Sequence, residues 1–289
     1  MPPVLPIVMT FSACDPTGGA GMQADLLTIA ALGGHAATIA TGFTVQDTAG
    51  IEEFVAIDAD HVDDQARTIL EDMPIAAFKI GVLGDVETVA AVAEIVSDYP
   101  DLPVVLDPVL ASGRGDPLAD DDTLLAIREL LLPQTTLLTP NSYEARRLAM
   151  LEDGEADDAA KGEISLEAAA TKLIGWGAEF VLITGTHENT PEVVNVLYGE
   201  EGDTVSVVRS DAWKRLAGSY HGSGCTLASA VAALLASGLD LEEAVREAQD
   251  FTWQTLNAAF RPGMGQFIPD RFFRARRASP GLRLQGAGR

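Results

Sequence analysis

Four strings in this sequence combine residue types able to do chemistry. Gly222-Ser223-Gly224-Cys225-Thr226 follows His221 and opens an alanine-rich helical segment. Peptide N–H groups at a helix start carry about half a unit of positive charge and suit a phosphoryl group. A cysteine in that first turn is expected to have its thiol pKa drawn below the free value of about 8.5; otherwise Cys225 is a buried helix-start residue. Asp15-Pro16-Thr17-Gly18-Gly19-Ala20-Gly21 is a second glycine-rich turn, either a ligand cradle or a plain strand-to-helix turn. Asp25 follows in the next helix, at the same mouth or on a solvated face. Asp107-Pro108 ends an apolar strand, where a carboxylate holds a metal, orients a base or caps a helix. Asn141 and Glu144 have the spacing of a capping box, yet Glu144 with Asp107 also makes the two-carboxylate set of a Mg²⁺ that keeps its waters.

Some chemistries are excluded by what is missing. No Gly-Lys pair exists anywhere, so there is no Walker A loop, and no Gly-x-Ser-x-Gly elbow is present. The four histidines lack zinc-ligand spacing.

The elements that must position these strings alternate along the chain. Strands are expected at 4–13, 35–43, 54–57, 76–80, 103–106, 136–138 and 180–184. Helices are expected at 21–32, 62–71, 86–97, 123–132, from about 142, and at 166–176, 224–236 and 241–259. Such alternation gives βαβ crossovers, a mostly parallel sheet and ligand binding beyond the strands' carboxyl ends. Two strands at 193–198 and 204–208, joined by a Gly- and Glu-rich turn, read as an edge hairpin. The acidic stretch 152–163 is too short to divide domains.

The chain has 289 residues, 47% of them hydrophobic, and a net charge of −24 from 19 Lys+Arg against 43 Asp+Glu. That charge repels nucleic acid and anionic membrane surfaces as general partners. Two cysteines are too few for a disulfide framework, which makes a cytoplasmic location the expectation. The apolar N-terminus lacks a basic region and reads as a strand, and no run reaches the roughly 18–20 apolar residues of a membrane helix.

Taken in order, these strings resemble the hydroxymethylpyrimidine/phosphomethylpyrimidine kinases of thiamine biosynthesis, within the ribokinase-like superfamily. The likeness also rests on Thr44-Val45-Gln46-Asp47-Thr48, Lys79-Ile80-Gly81-Val82-Leu83, Val105-Leu106-Asp107-Pro108-Val109 and Gly115-Asp116-Pro117-Leu118. It implies a single-domain, three-layer α/β/α kinase over 1–270 with an antiparallel edge hairpin. The six arginines of 271–289 would then form a flexible tail.

The resemblance further implies ATP and Mg²⁺ as co-substrate and cofactor, a small pyrimidine alcohol as substrate, and a homodimer. By it, Gly222, Ser223 and Gly224 form the anion hole, with Cys225 facing the substrate hydroxyl. Ala13, Asp25, Gln46, Val82 and Val109 meet the pyrimidine. Asn141, Thr184 and Gly185 meet the nucleotide, and Asp107 and Glu144 hold the metal. The sequence departs from the family's pattern in three places. Thr184 stands where many members have lysine, Ala13-Cys14 replaces Gly followed by Ser or Thr, and Val82 replaces a frequent methionine. A vitamin B6 kinase is the nearest alternative, and a non-catalytic pyrimidine sensor a further one. The lid candidates are 44–51 and 111–117.

Overall fold

In the computed structural model, residues 5–110, 118–150, 164–202 and 204–278 are described. The expected linker (152–163) and one lid candidate (111–117) lie outside them. β1 (Ile7–Cys14) pairs in parallel with β2 (His35–Gln46) on one side and β4 (Ile75–Ile80) on the other. β5 (Val104–Leu106), β6 (Leu137–Leu138) and β7 (Phe180–Ile183) extend the parallel sheet. β3 (Ile51–Ala56) runs antiparallel at one edge, and β8 (Glu192–Glu201) and β9 (Thr204–Lys214) close the other as a hairpin. The order is β3-β2-β1-β4-β5-β6-β7-β8-β9, so the winding reverses between β1 and β4. A crevice opens at such a reversal, at the strands' carboxyl ends.

Helices cover both faces. α1 (Gly21–Ala31), α7 (Ser223–Ala236) and α8 (Leu241–Asn257) share one core with Val8, Ala77 and Val105. α2 (Ala59–Asp72), α3 (Val86–Ser97), α4 (Asp121–Ala126), α5 (Ser142–Ala149) and α6 (Leu166–Gly175) bury the opposite face with Met9, Phe11 and Phe78. Strand side chains alternate between faces, so Thr10, Ser12 and Lys79 point to the α1/α7 side along with Val8 and Ala77. α7 is rich in buried alanine, including Ala228, Ala230, Ala232 and Ala233. Small side chains let it approach the sheet closely, and its first turn comes to the crevice.

Three expectations need correction. β2 runs past Phe43 to Gln46 because β3 pairs with its last residues, Gly42 to Gln46. The helix expected at 123–132 leaves α-geometry after Ala126, passing through a π-turn at Ile127–Leu131 and a 3₁₀ turn at Leu132–Gln134. Pro133, which has no N–H to give a helix ladder, lies in that last turn. The flexible tail does not begin at Arg271. Arg271 is buried, Phe273 packs on Phe251, and Phe273–Ala278 forms a short α9. Among the described residues, no helix is long and apolar enough to cross a membrane.

Candidate active site

A cleft of about 1330 Å³ lies over the crevice and is lined from the ends of β1, β4, β5, β6 and β7 and from the start of α7. The two glycine-rich turns meet on its wall in backbone contact. Gly222 has φ +82°, and a Cβ there would overlap the carbonyl of Gly19; a Cβ on Gly21, at φ +57°, would overlap that of Ala13. Glycine is required at both positions by space and by backbone conformation.

The turns differ in their free donors. In the first, Asp15 accepts from Thr17 N at 2.8 Å and Ala20 N at 2.7 Å, and Gly19 N donates to Thr17 Oγ1. Its N–H groups are largely spent on holding its own shape. Asp15 also meets His221 Nε2 at 2.9 Å, which ties this turn to the second. Burial would raise the Asp15 carboxyl, but His221, Ala20 and Thr17 together hold it down at about 2. α7, in contrast, has Gly222 at its N-cap and no capping side chain. Its opening N–H groups therefore have no intrahelical partners, and Ser223, Gly224 and Cys225 line the cleft.

Beneath this turn lies a buried charge cluster that sequence reading missed. Lys79 Nζ lies 3.0 Å from Asp25 Oδ1, and Asp25 also accepts from Ser12 Oγ and, at 2.6 Å, from Ser229 Oγ. Gly81 makes room for the lysine head, since a Cβ there would sit 2.8 Å from Nζ. Asp25 is fully buried and its carboxylate is taken by these partners, which corrects its assignment to the pyrimidine. Burial alone would depress the Lys79 ammonium, but Asp25, Cys225 and Asp107 hold it above the ordinary lysine range.

Cys225 also differs from expectation. Burial pushes its thiol up to about 12; Lys79 opposes the rise, while Asp107 and Asp25 add to it. Desolvation and two carboxylates outweigh the helix start. The thiol, beside Asp107, holds that carboxyl down slightly against its own burial.

Asp107 follows β5, and a Cβ on Gly224 would sit 3.6 Å from its Oδ1. Its carboxyl is raised by burial to about 6, against the pull of Lys79. Glu144 is raised by burial, and next by Asp107, to about 8. The capping box is complete: Asn141 Oδ1 accepts from Tyr143 N and Glu144 N, and Asn141 N donates to Glu144 Oε2. The capping reading of this string is therefore met. Asp107 Oδ2 is buried without a partner. Two buried carboxyls held above the ordinary carboxylate range, one with an orphaned oxygen, fit a divalent cation. No group of three His, Cys, Asp or Glu able to hold a metal occurs among the described residues.

The remaining expected residues divide by position. Ala13, Gln46, Val82 and Val109 line one end of the cleft, together with Cys14, whose Sγ accepts from Gln23 Nε2. The Val109 N–H is turned back to Asp107 O at 2.9 Å, so that backbone offers the cleft no N–H. Asn141 and Thr184 line the cleft too. Gly185 does not. Its N–H goes to Asn195 Oδ1, and a Cβ there would overlap Val194 O, so its glycine has a packing reason. Near the far end, Trp213 stacks on Trp253 with ring centroids 6.5 Å apart, and both line the cleft.

Comparison with known proteins bears on the family and the fold. The signature of the family described as phosphomethylpyrimidine kinase matches residues 15–270. A hydroxymethylpyrimidine/phosphomethylpyrimidine kinase of Mycobacterium tuberculosis is 37% identical over 262 residues, covering 90% of this chain and 91% of that one. A thiamine biosynthesis bifunctional protein of Geobacter sulfurreducens is 34% identical over 89% of this chain and 50% of its own length. Among solved structures, a Bacillus subtilis pyridoxal kinase in complex with ADP superposes with a TM-score of 0.79 at 28% identity, over 93% of this chain and 98% of that one. The chain thus belongs to the phosphomethylpyrimidine kinase family, on a fold it shares with pyridoxal kinases.

Proposed function

We propose that the protein transfers the γ-phosphoryl group of ATP to 4-amino-5-hydroxymethyl-2-methylpyrimidine and then to its monophosphate, giving the diphosphate used in thiamine biosynthesis. The observation that carries this reading is the uncapped start of α7, with Cys225 in its first turn, opening on a cleft whose floor holds Asp107 and Glu144. Phosphoryl transfer needs in-line positioning and charge stabilisation more than covalent help.

The N–H groups of Ser223, Gly224 and Cys225 receive the equatorial oxygens of the transferred group. Cys225 faces the substrate hydroxyl and keeps its own proton at neutral pH. It orients that hydroxyl, whose proton leaves only as the new oxygen–phosphorus bond forms, when that oxygen has become acidic, and passes to an oxygen of the transferred phosphoryl group. Lys79, fixed by Asp25, supplies buried positive charge below the reacting atoms. Gln46 donates to and accepts from the pyrimidine edge, and Val82 lies against its ring. Asn141 and Thr184 contact the nucleotide. Asp107 and Glu144 hold Mg²⁺, which when bound neutralises charge on the phosphates. A cytoplasmic homodimer is part of the same reading.

The likeness to pyridoxal kinases makes vitamin B6 the competing substrate. Parallel measurement of kcat/KM on hydroxymethylpyrimidine and on pyridoxal, with ATP and Mg²⁺, decides between them. The pyrimidine is expected to be preferred, and a clear pyridoxal preference overturns the reading.

A further inference from the structure

Arg271 lies one residue past the stretch that matches the family signature, in a segment that composition alone reads as tail. Its guanidinium is nonetheless buried. Nε donates to Thr226 Oγ1 at 3.1 Å, and Nη2 donates to the same oxygen at 2.9 Å and to Gly19 O at 2.6 Å; Nη1 donates to Gly18 O at 3.2 Å. The neighbouring residues fix its place. Asp270 N donates to Thr255 O, Ile268 pairs with Phe260, and Phe273 is buried against Phe251.

These bonds reach the anion-binding turn through one intermediary. Thr226 Oγ1 accepts from Arg271 and donates at 2.7 Å to Gly222 O, which also accepts from Thr226 N at 3.0 Å. The Gly222–Ser223 peptide is planar and trans, so fixing its carbonyl fixes the opposite direction of the Ser223 N–H. On the other side Arg271 holds the carbonyls of Gly18 and Gly19, and Gly19 O is the atom against which Gly222 packs. Burial lowers the guanidinium to about 10, so it remains charged at neutral pH.

We infer that Arg271 is a positioning residue for phosphoryl transfer, locking the first glycine turn onto the start of α7 and thereby setting the orientation of the Ser223 peptide. This rests on the reading of α7 as the phosphoryl site. It extends the working enzyme beyond the family-matched stretch.

The test compares wild type, Arg271→Ala and Arg271→Lys in pyrimidine phosphorylation and in amide hydrogen exchange. Arg271→Ala is expected to lower kcat by about tenfold or more while KM for the pyrimidine stays within about threefold. Millimolar guanidinium chloride restores part of that kcat, whereas equal NaCl does not. Arg271→Lys keeps the charge but cannot span three acceptors, and falls between. Exchange in Arg271→Ala should quicken at 17–21 and 222–226 and stay unchanged in β1 and β4. Wild-type kcat in the alanine variant overturns the assignment. So does a loss in which KM and kcat worsen together, exchange rises throughout and guanidinium fails to rescue, since that marks a purely structural arginine. The exchange arm needs no substrate, so it decides the clamp even if the wild type turns over no pyrimidine, a result that would refute the substrate reading alone.

Discussion

Lys79 Nζ lies 3.0 Å from Asp25 Oδ1, and neither side chain has solvent-exposed surface. A pair so buried is retained at a desolvation cost, and removing one partner leaves a bare charge in the interior. Asp25→Asn should therefore lower the unfolding free energy by about 3–5 kcal/mol. The double variant Asp25→Leu/Lys79→Met, which removes both charges, should be more stable than Asp25→Asn and still lack activity. Urea denaturation with an activity assay checks both halves. Equal stability of the single and double variants would show that the pair is not coupled.

Cys225 and Gln46 sit at different tasks, and kinetics should separate them. Cys225→Ala is expected to lower kcat by about 10²-fold with little change in pyrimidine KM, because its role is at the reacting hydroxyl. Gln46→Ala should instead raise the pyrimidine KM by about tenfold, the loss of a paired amide contact in a buried site. A steady-state study of both variants checks the split. Unchanged kcat in the first would make the cysteine packing alone.

Asp15 couples the two glycine turns, and its carboxyl is held at about 2 against an ordinary 3.8. A depressed acid stabilises the native state above its unfolded pKa and loses that contribution as pH falls through the native one. The contribution is about 2 kcal/mol, complete above about pH 5 and lost between there and pH 2. The stability difference between wild type and Asp15→Asn should shrink across that window. A difference that stays constant from pH 6 to pH 2 would contradict the bonding to His221, Thr17 and Ala20.

Asp107 is pushed the other way, to about 6. For an acid raised on folding, the native state binds the extra proton between the two pKa values, and stability falls as pH rises through that interval. Asp107→Asn should therefore raise stability at pH 8 without Mg²⁺, by about 1–2 kcal/mol, while removing Mg²⁺-dependent turnover. Thermal unfolding with and without MgCl₂ measures this. A destabilised variant would show that the charged carboxylate is already compensated without a cation.

Much of this site was legible in the sequence because its parts lie at strand ends and helix starts, where local composition carries the signal. Gly222, Cys225, Asp107 and Glu144 were placed by that rule. The alternation of strand and helix similarly gave the layers and the edge hairpin. What escaped depends on contacts far apart in sequence. Asp25 reads as a mouth residue until β4 brings Lys79 beneath it, and only the folded sheet shows which face Lys79 takes. The Cys225 thiol looked acidic because a helix start is visible in sequence, while its burial among carboxylates is not. Arg271 was hidden in an arginine-rich end whose composition resembles a solvated tail. Gly185 read as a ligand contact, yet its glycine answers to the passing carbonyl of Val194.

The central claim is phosphoryl transfer from ATP to the hydroxymethyl group of the aminopyrimidine, followed by a second transfer to the product. Its most direct test is a time course of phosphorylated products with ATP, Mg²⁺ and hydroxymethylpyrimidine, resolved by anion exchange and ³¹P NMR. The account predicts that monophosphate appears first and is then converted to diphosphate, with one ADP formed for each phosphoryl group transferred. ATP turnover without any phosphorylated pyrimidine, or no turnover with this alcohol while pyridoxal is phosphorylated, would contradict it.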